Sequence, residues 1–488
     1  MEIKKVLFVT SECVPFAKTG GLADVSSALP KALKKEGVDI RIVMPRYYIV
    51  DKEKYKLKPL EGELVVPMGK LGNLYAQVFE GMLPNSDVKV YFIEYEDFFG
   101  RKGLYDDNNI AYKDNDIRFI FLSKASIELS KKIDFIPDIF HCNDWQSSAL
   151  NIILNTKYAL DSTFSHTASV LSIHNINYQG KFDKSALDYL ECDYKHFNMY
   201  ELEDFGGVNL LKGGIKFCDA ITTVSPTYAK EIQTPEFGCG LDQHIKGFNY
   251  KLFGILNGVD YDEWNPKTDN LIKQKYSVSS INKKSINKED LQKIFDLPQK
   301  NVPMFGFIGR LVEQKGIELI ASIFEEFIQE DIQFIMLGTG EKWAEDFFRN
   351  MENKYPDKFK CYIGYNNEMA HKIEAGVDIF LMPSLFEPCG LNQMYSCIYG
   401  TLPLVRGTGG LEDSIINFDE KDANGFKFYE ASPMALINTI KWAISSYYSN
   451  RFKKVQKNAM KKDFSWKKSA KLYKDVYMYA KLPKLVRR

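Results

Sequence analysis

The chain is predicted to fold as two doubly wound α/β units, each a parallel sheet covered by helices on both faces. Three observations carry that expectation. Its 488 residues exceed the roughly 250 to 300 that a single hydrophobic core organises. Short apolar runs alternate with helical stretches, the pattern of strands joined through crossover helices. The runs themselves are nearly continuous in apolar residues and do not alternate, as strands buried on both faces require.

In the first series the strands read as VLFVT, DIRIVMP, VYFIEY, PDIFHCND and SVLSIHN, with helices from about Asp24 to Glu36 and over 116 to 132. Residues 182 to 250 read as mostly helical, with one further strand in FCDAITTVS at 217 to 225. A second series begins after about residue 250 with PMFGFIGR, a helix from Gly316 to Gln329, IQFIMLGTG, KCYIGY, a helix at 368 to 376, DIFLMPS, a helix at 390 to 399 and TLPLVRG. The Lys- and Asn-rich, apolar-poor stretch 268 to 290 reads as an exposed loop or insertion. Around 465 to 481 Trp466, Leu472, Tyr473, Val476 and Tyr477 recur at helical spacing, so one face of a last helix must be buried. The domains expected are therefore 1–250, 251–464 and a terminal helix from 465 to 488.

Lys plus Arg and Asp plus Glu each number 64, and beyond modest Lys clusters near 283 to 288 and 451 to 462 no single-sign block appears, which argues against a nucleic-acid partner. Eight scattered cysteines form no CxxC pair and no zinc-like spacing, the usage of reduced thiols in a cytoplasmic protein. No apolar stretch approaches the ~18 residues of a membrane helix, and the MEIKKVLFVTSE start is too short and too acidic for a secretory signal. The chain is expected to be soluble and without a membrane partner.

In open parallel sheets ligands sit beyond the carboxyl ends of the strands, so the loops there hold the candidate site. KTGGLADV at 18 to 25 offers Lys18, backbone amides at Gly20 and Gly21, and a helix start, all suited to a diphosphate. It lacks GxGxxG, so a dinucleotide fingerprint is not supported. HCNDWQ and SIHNINYQG place Asp144 and His174 at the sheet rim, where they could hold sugar hydroxyls. In FIGRLVEQKG, Arg310 and Lys315 flank a helix start as fixed cations for a leaving diphosphate. SLFEPCGLNQ and LPLVRGTGGLED bring two further Gly-containing helix starts, with Glu387 the carboxylate of the first. Taken singly, each loop is also an ordinary strand-to-helix turn; together they describe a site for a sugar diphosphate. Asp260 and Asp262 form a D-x-D, read as turn chemistry and not as a metal site.

These residues, in order with LNGVDYDEWNP at 256 to 266 and IGY, resemble the bacterial glycogen synthase and plant starch synthase family over essentially the whole chain. The resemblance implies two Rossmann-like domains facing each other across a cleft, the GT-B fold, and transfer of glucose from ADP-glucose to an α-1,4-glucan such as glycogen, with retention. It implies that Lys18, Gly20 and Gly21 contact the diphosphate, that Arg310 and Lys315 stabilise it as it leaves, and that Glu387 orients the glucose. Cys389, Gly390, Leu391, Asn392, Thr408, Gly409 and Gly410 would lie around the donor, Tyr365 would stack on adenine, and Asp144 and His174 would line the donor and acceptor side. It implies no metal and no cofactor, and a last helix that returns to the first domain. Related families carry a second glutamate eight positions after the first to hold the ribose; here that position is Tyr395. The same fold with UDP-glucose or another acceptor, and an inactive glucan-binding protein, are the rival readings.

Overall fold

The computed structural model describes residues 3–108 and 110–486. The chain forms two compact units, one of residues up to Gly258 together with those from Trp466 onward, the other Val259–Ser465. The first boundary lies at 258 and not at 250, because Leu252–Gly254 adds a parallel edge strand to the first sheet.

That sheet runs in the order Leu252–Gly254, Ala220–Thr223, Ala168–Ile173, Ile139–Asn143, Lys5–Val9, Asp39–Pro45, Lys89–Glu94, Asn73–Met82 and Lys58–Pro59. The first seven strands are parallel. The sequence reading missed the rest: Asn73–Met82 pairs antiparallel with Lys89–Glu94, Lys58–Pro59 and Leu64–Pro67, so this sheet is mixed. Residues 182 to 250 are also less helical than expected, since Lys181–Phe182, Gly207–Asn209 and Glu203–Asp204 form a small antiparallel sheet. The central strand Lys5–Val9 lies between Asp39–Pro45 and Ile139–Asn143, which follow it in the chain on opposite sides. The loops after Lys5–Val9 and Ile139–Asn143 thus flank the point where strand order reverses, where open sheets bind ligands.

The helix Trp466–Val486 buries Trp466, Ala470, Tyr473, Val476 and Tyr477 against the first unit, while Leu472, assigned to the same face by periodicity, is 43% exposed. Its anchor is polar: the Tyr477 hydroxyl lies 2.7 Å from Nδ1 of His141, whose Nε2 lies 2.6 Å from Ser172 Oγ on the neighbouring strand. Burial holds His141 far below its usual range, to about 3, so it serves as a neutral link.

The second sheet is wholly parallel, in the order Phe359–Ile363, Gln333–Gly338, Met304–Ile308, Ile379–Met382, Leu402–Arg406 and Phe426–Phe428. Here the reversal falls between Met304–Ile308 and Ile379–Met382. The stretch 268 to 290 is not an exposed insertion. It folds into a 3₁₀ segment, Val278–Lys283, and the start of the helix Lys284–Ile294, with Lys284, Asn287 and Lys288 buried. Long lysine stems can lie in apolar surroundings while their ammonium groups reach carbonyls, which composition alone does not reveal. Among the described residues no helix is long and apolar enough to cross a membrane, and the cysteines are free thiols.

Candidate active site

Each unit presents its candidate side chains at its own reversal point. In the first, the loop after Lys5–Val9 is organised by Glu12, a residue to which the sequence reading gave no role. Its buried carboxylate accepts the backbone N–H of Thr19 at 2.5 Å and of Gly20 at 3.1 Å, the Thr19 hydroxyl at 2.6 Å and the Tyr105 hydroxyl at 2.7 Å. The Gly20 amide expected to meet a diphosphate is therefore already committed to Glu12. Lys18 is half exposed and pairs with Asp24 at 2.8 Å. A Cβ on Gly20 or Gly21 would meet nothing within 4 Å, and Gly20 has an extended φ of −146°. Neither packing nor backbone conformation demands glycine there, which leaves the space above the loop open to a ligand.

After Ile139–Asn143 the chain turns sharply, and Asp144 takes a φ of +52° as the first residue of the helix Asp144–Asn155. A non-glycine residue in that region is strained, and such strain gathers at functional sites. The carboxylate accepts the His174 amide at 2.7 Å. Burial nevertheless pushes Asp144 up to about 7, the amide bonds opposing only in part. His174 is pushed down to about 4 by burial, so its ring is neutral near pH 7. Its tautomer follows from its neighbour. Asn143 Nδ2 donates to the Val9 carbonyl at 3.0 Å, so Asn143 Oδ1 is the acceptor for His174 Nε2–H at 2.9 Å. His174 Nδ1 is left with a lone pair for a hydroxyl.

In the second unit, three loops converge through backbone contacts. Gly316 has φ +71° and a Cβ there would lie 2.1 Å from the Pro383 carbonyl, so the first loop abuts the second. Leu385 N–H donates to the Gln314 carbonyl at 2.9 Å, and Arg406 donates to the Leu385 carbonyl at 2.5 Å. Lys315 Nζ then sits 2.5 Å from Glu387 Oε2, which also accepts the Ser384 hydroxyl at 3.1 Å. Arg310 is exposed and donates to Gln314 Oε1 at 3.1 Å.

Several assigned residues turn out to build the loops. Gly409 and Gly410 would carry a Cβ 2.0 Å from the Glu387 carbonyl and 2.1 Å from the Cys389 carbonyl, and Gly410 N–H donates to the Glu387 carbonyl at 3.1 Å. Asn392 Nδ2 donates to the Ile308 carbonyl at 2.8 Å, so its side chain braces the strand and does not face a phosphate. Thr408 and Cys389 are buried, Gly390 has φ +69°, and Leu391 precedes the helix Asn392–Ile398. Tyr365 follows the edge strand Phe359–Ile363 and is 81% exposed, an aromatic face open to a ring.

Asp260 and Asp262 form a turn, with Asp262 N–H donating to Asp260 Oδ1 at 3.0 Å. The same segment leads to Trp264, stacked flat between His371, centroids 3.8 Å apart, and Tyr395, 4.0 Å apart. Tyr395 is thus part of an aromatic stack. No group of three or more His, Cys, Asp or Glu suited to a metal ion occurs among the described residues.

Residues 5–247 match the family model described as starch synthase catalytic domain, and residues 288–462 the model described as glycosyl transferases group 1. The chain is 50% identical to glycogen synthase 1 of Geobacter metallireducens over 98% of its length and 96% of that protein. It is 42% identical to the glycogen synthase of Bacillus cereus strain B4264, over 97% of this chain and 98% of the other. Among solved structures, the catalytic domain of starch synthase IV from Arabidopsis thaliana, bound to ADP and acarbose, superposes with a TM-score of 0.90 at 31% identity, covering 99% of this chain and 100% of that one.

Proposed function

The chain belongs to the glycogen and starch synthase family of hexosyltransferases with the GT-B fold, and from that premise we propose its donor, acceptor and site residues. The donor is ADP-glucose, and glucose passes to the non-reducing 4-hydroxyl of an α-1,4-glucan such as glycogen with retention of configuration. The observation that carries this reading is the Lys315–Glu387 pair at the reversal point of the second sheet. A cation suited to diphosphate oxygens and a carboxylate suited to sugar hydroxyls stand side by side, each holding the other until a nucleoside diphosphate sugar replaces the contact.

Arg310 and Lys315 neutralise the diphosphate as it leaves, and no metal ion takes part. Glu387 orients the glucose, near the backbone of Cys389, Gly390 and Leu391. Thr408, Gly409, Gly410 and the Asn392 side chain shape this pocket, and Tyr365 stacks on the adenine. In the first unit Lys18 and the Gly21 amide supply an anion contact, while Asp144 and the His174 Nδ1 lone pair engage sugar hydroxyls. The acceptor 4-hydroxyl attacks the anomeric carbon on the face the diphosphate leaves. The new C–O bond forms as the old one breaks, and the hydroxyl proton passes to a diphosphate oxygen. This route needs no protein nucleophile, so Glu387 orients the glucose and does not form the covalent intermediate of a retaining glycosidase. We place the protein in the cytoplasm.

The test is ADP release from glycogen with ADP-glucose or, separately, UDP-glucose, with and without EDTA, for the wild type and Glu387→Ala. Glycogen-dependent release that prefers ADP-glucose, survives EDTA and collapses in the variant is expected. Preference for UDP-glucose would overturn the donor, loss in EDTA restored by manganese the metal-free mechanism, and a glucosyl adduct on Glu387 the front-face route.

A further inference from the structure

The second unit contains a column of three rings that none of the roles above uses. Trp264 lies flat between His371, at an interplanar angle of 11°, and Tyr395, at 5°. Aromatic pairs ordinarily sit offset or edge to face with centroids roughly 4.5 to 7 Å apart, so two parallel contacts in succession at 3.8 and 4.0 Å make a tight stack. The rings come from three separate segments: an irregular stretch near the start of the unit, the helix Asn367–Gly376, and the helix Asn392–Ile398 that follows Glu387.

One buried carboxylate locks the column. Asp269 Oδ2 accepts His371 Nδ1–H at 2.8 Å and the Tyr399 hydroxyl at 2.6 Å, and its Oδ1 accepts the Leu271 amide at 2.8 Å. Burial opposes a charge there, but those bonds outweigh it and hold Asp269 below its ordinary range. His371 Nε2 is buried and has no hydrogen-bond partner among the described residues, a desolvation cost that a phenyl ring would avoid. The histidine therefore serves through its flat face and its Nδ1–H.

What the column holds is the helix next to the donor loop. Asn392–Ile398 has seven residues and no side-chain cap, and isolated helices shorter than about 12 residues do not hold in water. Tyr395 is fixed by the column, Tyr399, one turn on, by Asp269, and Ser396 donates to the buried Glu374 at 2.7 Å. At its first turn the same helix is tied to the loop. Gln393 Nε2 donates to the carbonyls of Cys389 at 3.0 Å and Gly390 at 3.1 Å, and a Cβ on Gly390 would lie 2.5 Å from Gln393 Oε1. A helix displaced by loss of the column would carry the loop with it.

We propose that Trp264, His371 and Asp269 are positioning residues for the donor: through Tyr395 they set the helix, and through Gln393 the loop, that receives the nucleoside diphosphate sugar. This rests on the donor reading given above. The effect passes through Tyr395, so binding of the donor and not of the glucan senses the loss of the column.

The test is calorimetric titration with ADP and steady-state kinetics of the full chain, comparing the wild type with Trp264→Leu, Trp264→Phe and His371→Leu. Partial unfolding lowers the apparent kcat but leaves KM and Kd in place, so those constants separate positioning from stability alone. Trp264→Leu and His371→Leu are expected to raise Kd for ADP and KM for ADP-glucose at least fivefold, with KM for glycogen changed less than twofold and amide exchange over 389–399 faster. Trp264→Phe, which keeps a ring in the stack, is expected to stay within twofold of the wild type. Unchanged Kd and KM in Trp264→Leu, or a KM for glycogen that rises as much as that for ADP-glucose, would overturn the proposal while the wild type still binds ADP. A wild type that binds neither ADP nor ADP-glucose would overturn the donor reading, and this one with it. Should Trp264→Leu fail to fold, His371→Leu decides alone.

Discussion

Asp144 opens its helix in a backbone conformation that costs energy and keeps its carboxyl group buried. A carboxyl raised from its ordinary value to about 7 is easier to ionise in the unfolded chain, so folding loses stability as pH rises between those values. Asp144→Asn is therefore expected to stabilise the first unit by ~2 kcal/mol at pH 8 and by less than ~1 kcal/mol at pH 4, read from urea unfolding at both. The glycine pair of the second unit gives a sharper result. Gly410→Ala must displace the Cys389 carbonyl, so activity is expected to fall at least about 100-fold, with ~2 kcal/mol of lost stability in calorimetry. That Lys315 and Glu387 lie in loops beyond buried strands could be read from sequence; that they pair could not, since it depends on how the two loops converge. Glu12 could not, since its role depends on where the Thr19 and Gly20 amides turn, although a carboxylate directly after a central strand was a usable signal.

Strands buried on both faces announce themselves as unbroken apolar runs, and every central parallel strand was legible for that reason. The edge hairpin at 64 to 82 was not: Leu64–Pro67 and Asn73–Met82 alternate buried and exposed residues, and an alternating run is easily passed over beside stronger ones. The segment 268 to 290 failed for the opposite reason, because lysines that end on backbone carbonyls look like solvated ones in composition. The last helix was legible by its period, but not the polar pin that fixes it. Tyr477→Phe leaves His141 Nδ1 buried without a partner, and should cost about 1 to 3 kcal/mol in urea unfolding, while His141 stays neutral across the physiological range.

Across the whole molecule the two units differ in how the chain builds them. The second is one continuous stretch, 259–465, whereas the first needs residues from both sides of it. A chain ending at Ser465 is expected to lose stability in the first unit by at least several degrees in calorimetry, because Tyr473, Tyr477 and Ala480 would leave their buried seats. The transition of the second unit should stay in place. Balanced charge, with a pI near 7.0, gives no electrostatic bar to self-association at neutral pH, so solubility at low salt should pass through a minimum there.

That interleaving sets an order of events at the ribosome. The helix that completes the first unit emerges only after the 207 residues of 259–465 have been made, roughly 10 to 40 s later at ~5 to 20 residues per second. For that interval the nascent first unit has no cover for the outer side of the helix Gly21–Lys35, against which the last helix finally packs. The second unit can fold without waiting. The newborn protein thus passes through a stage in which its later half is finished and its earlier half still needs a chaperone or time.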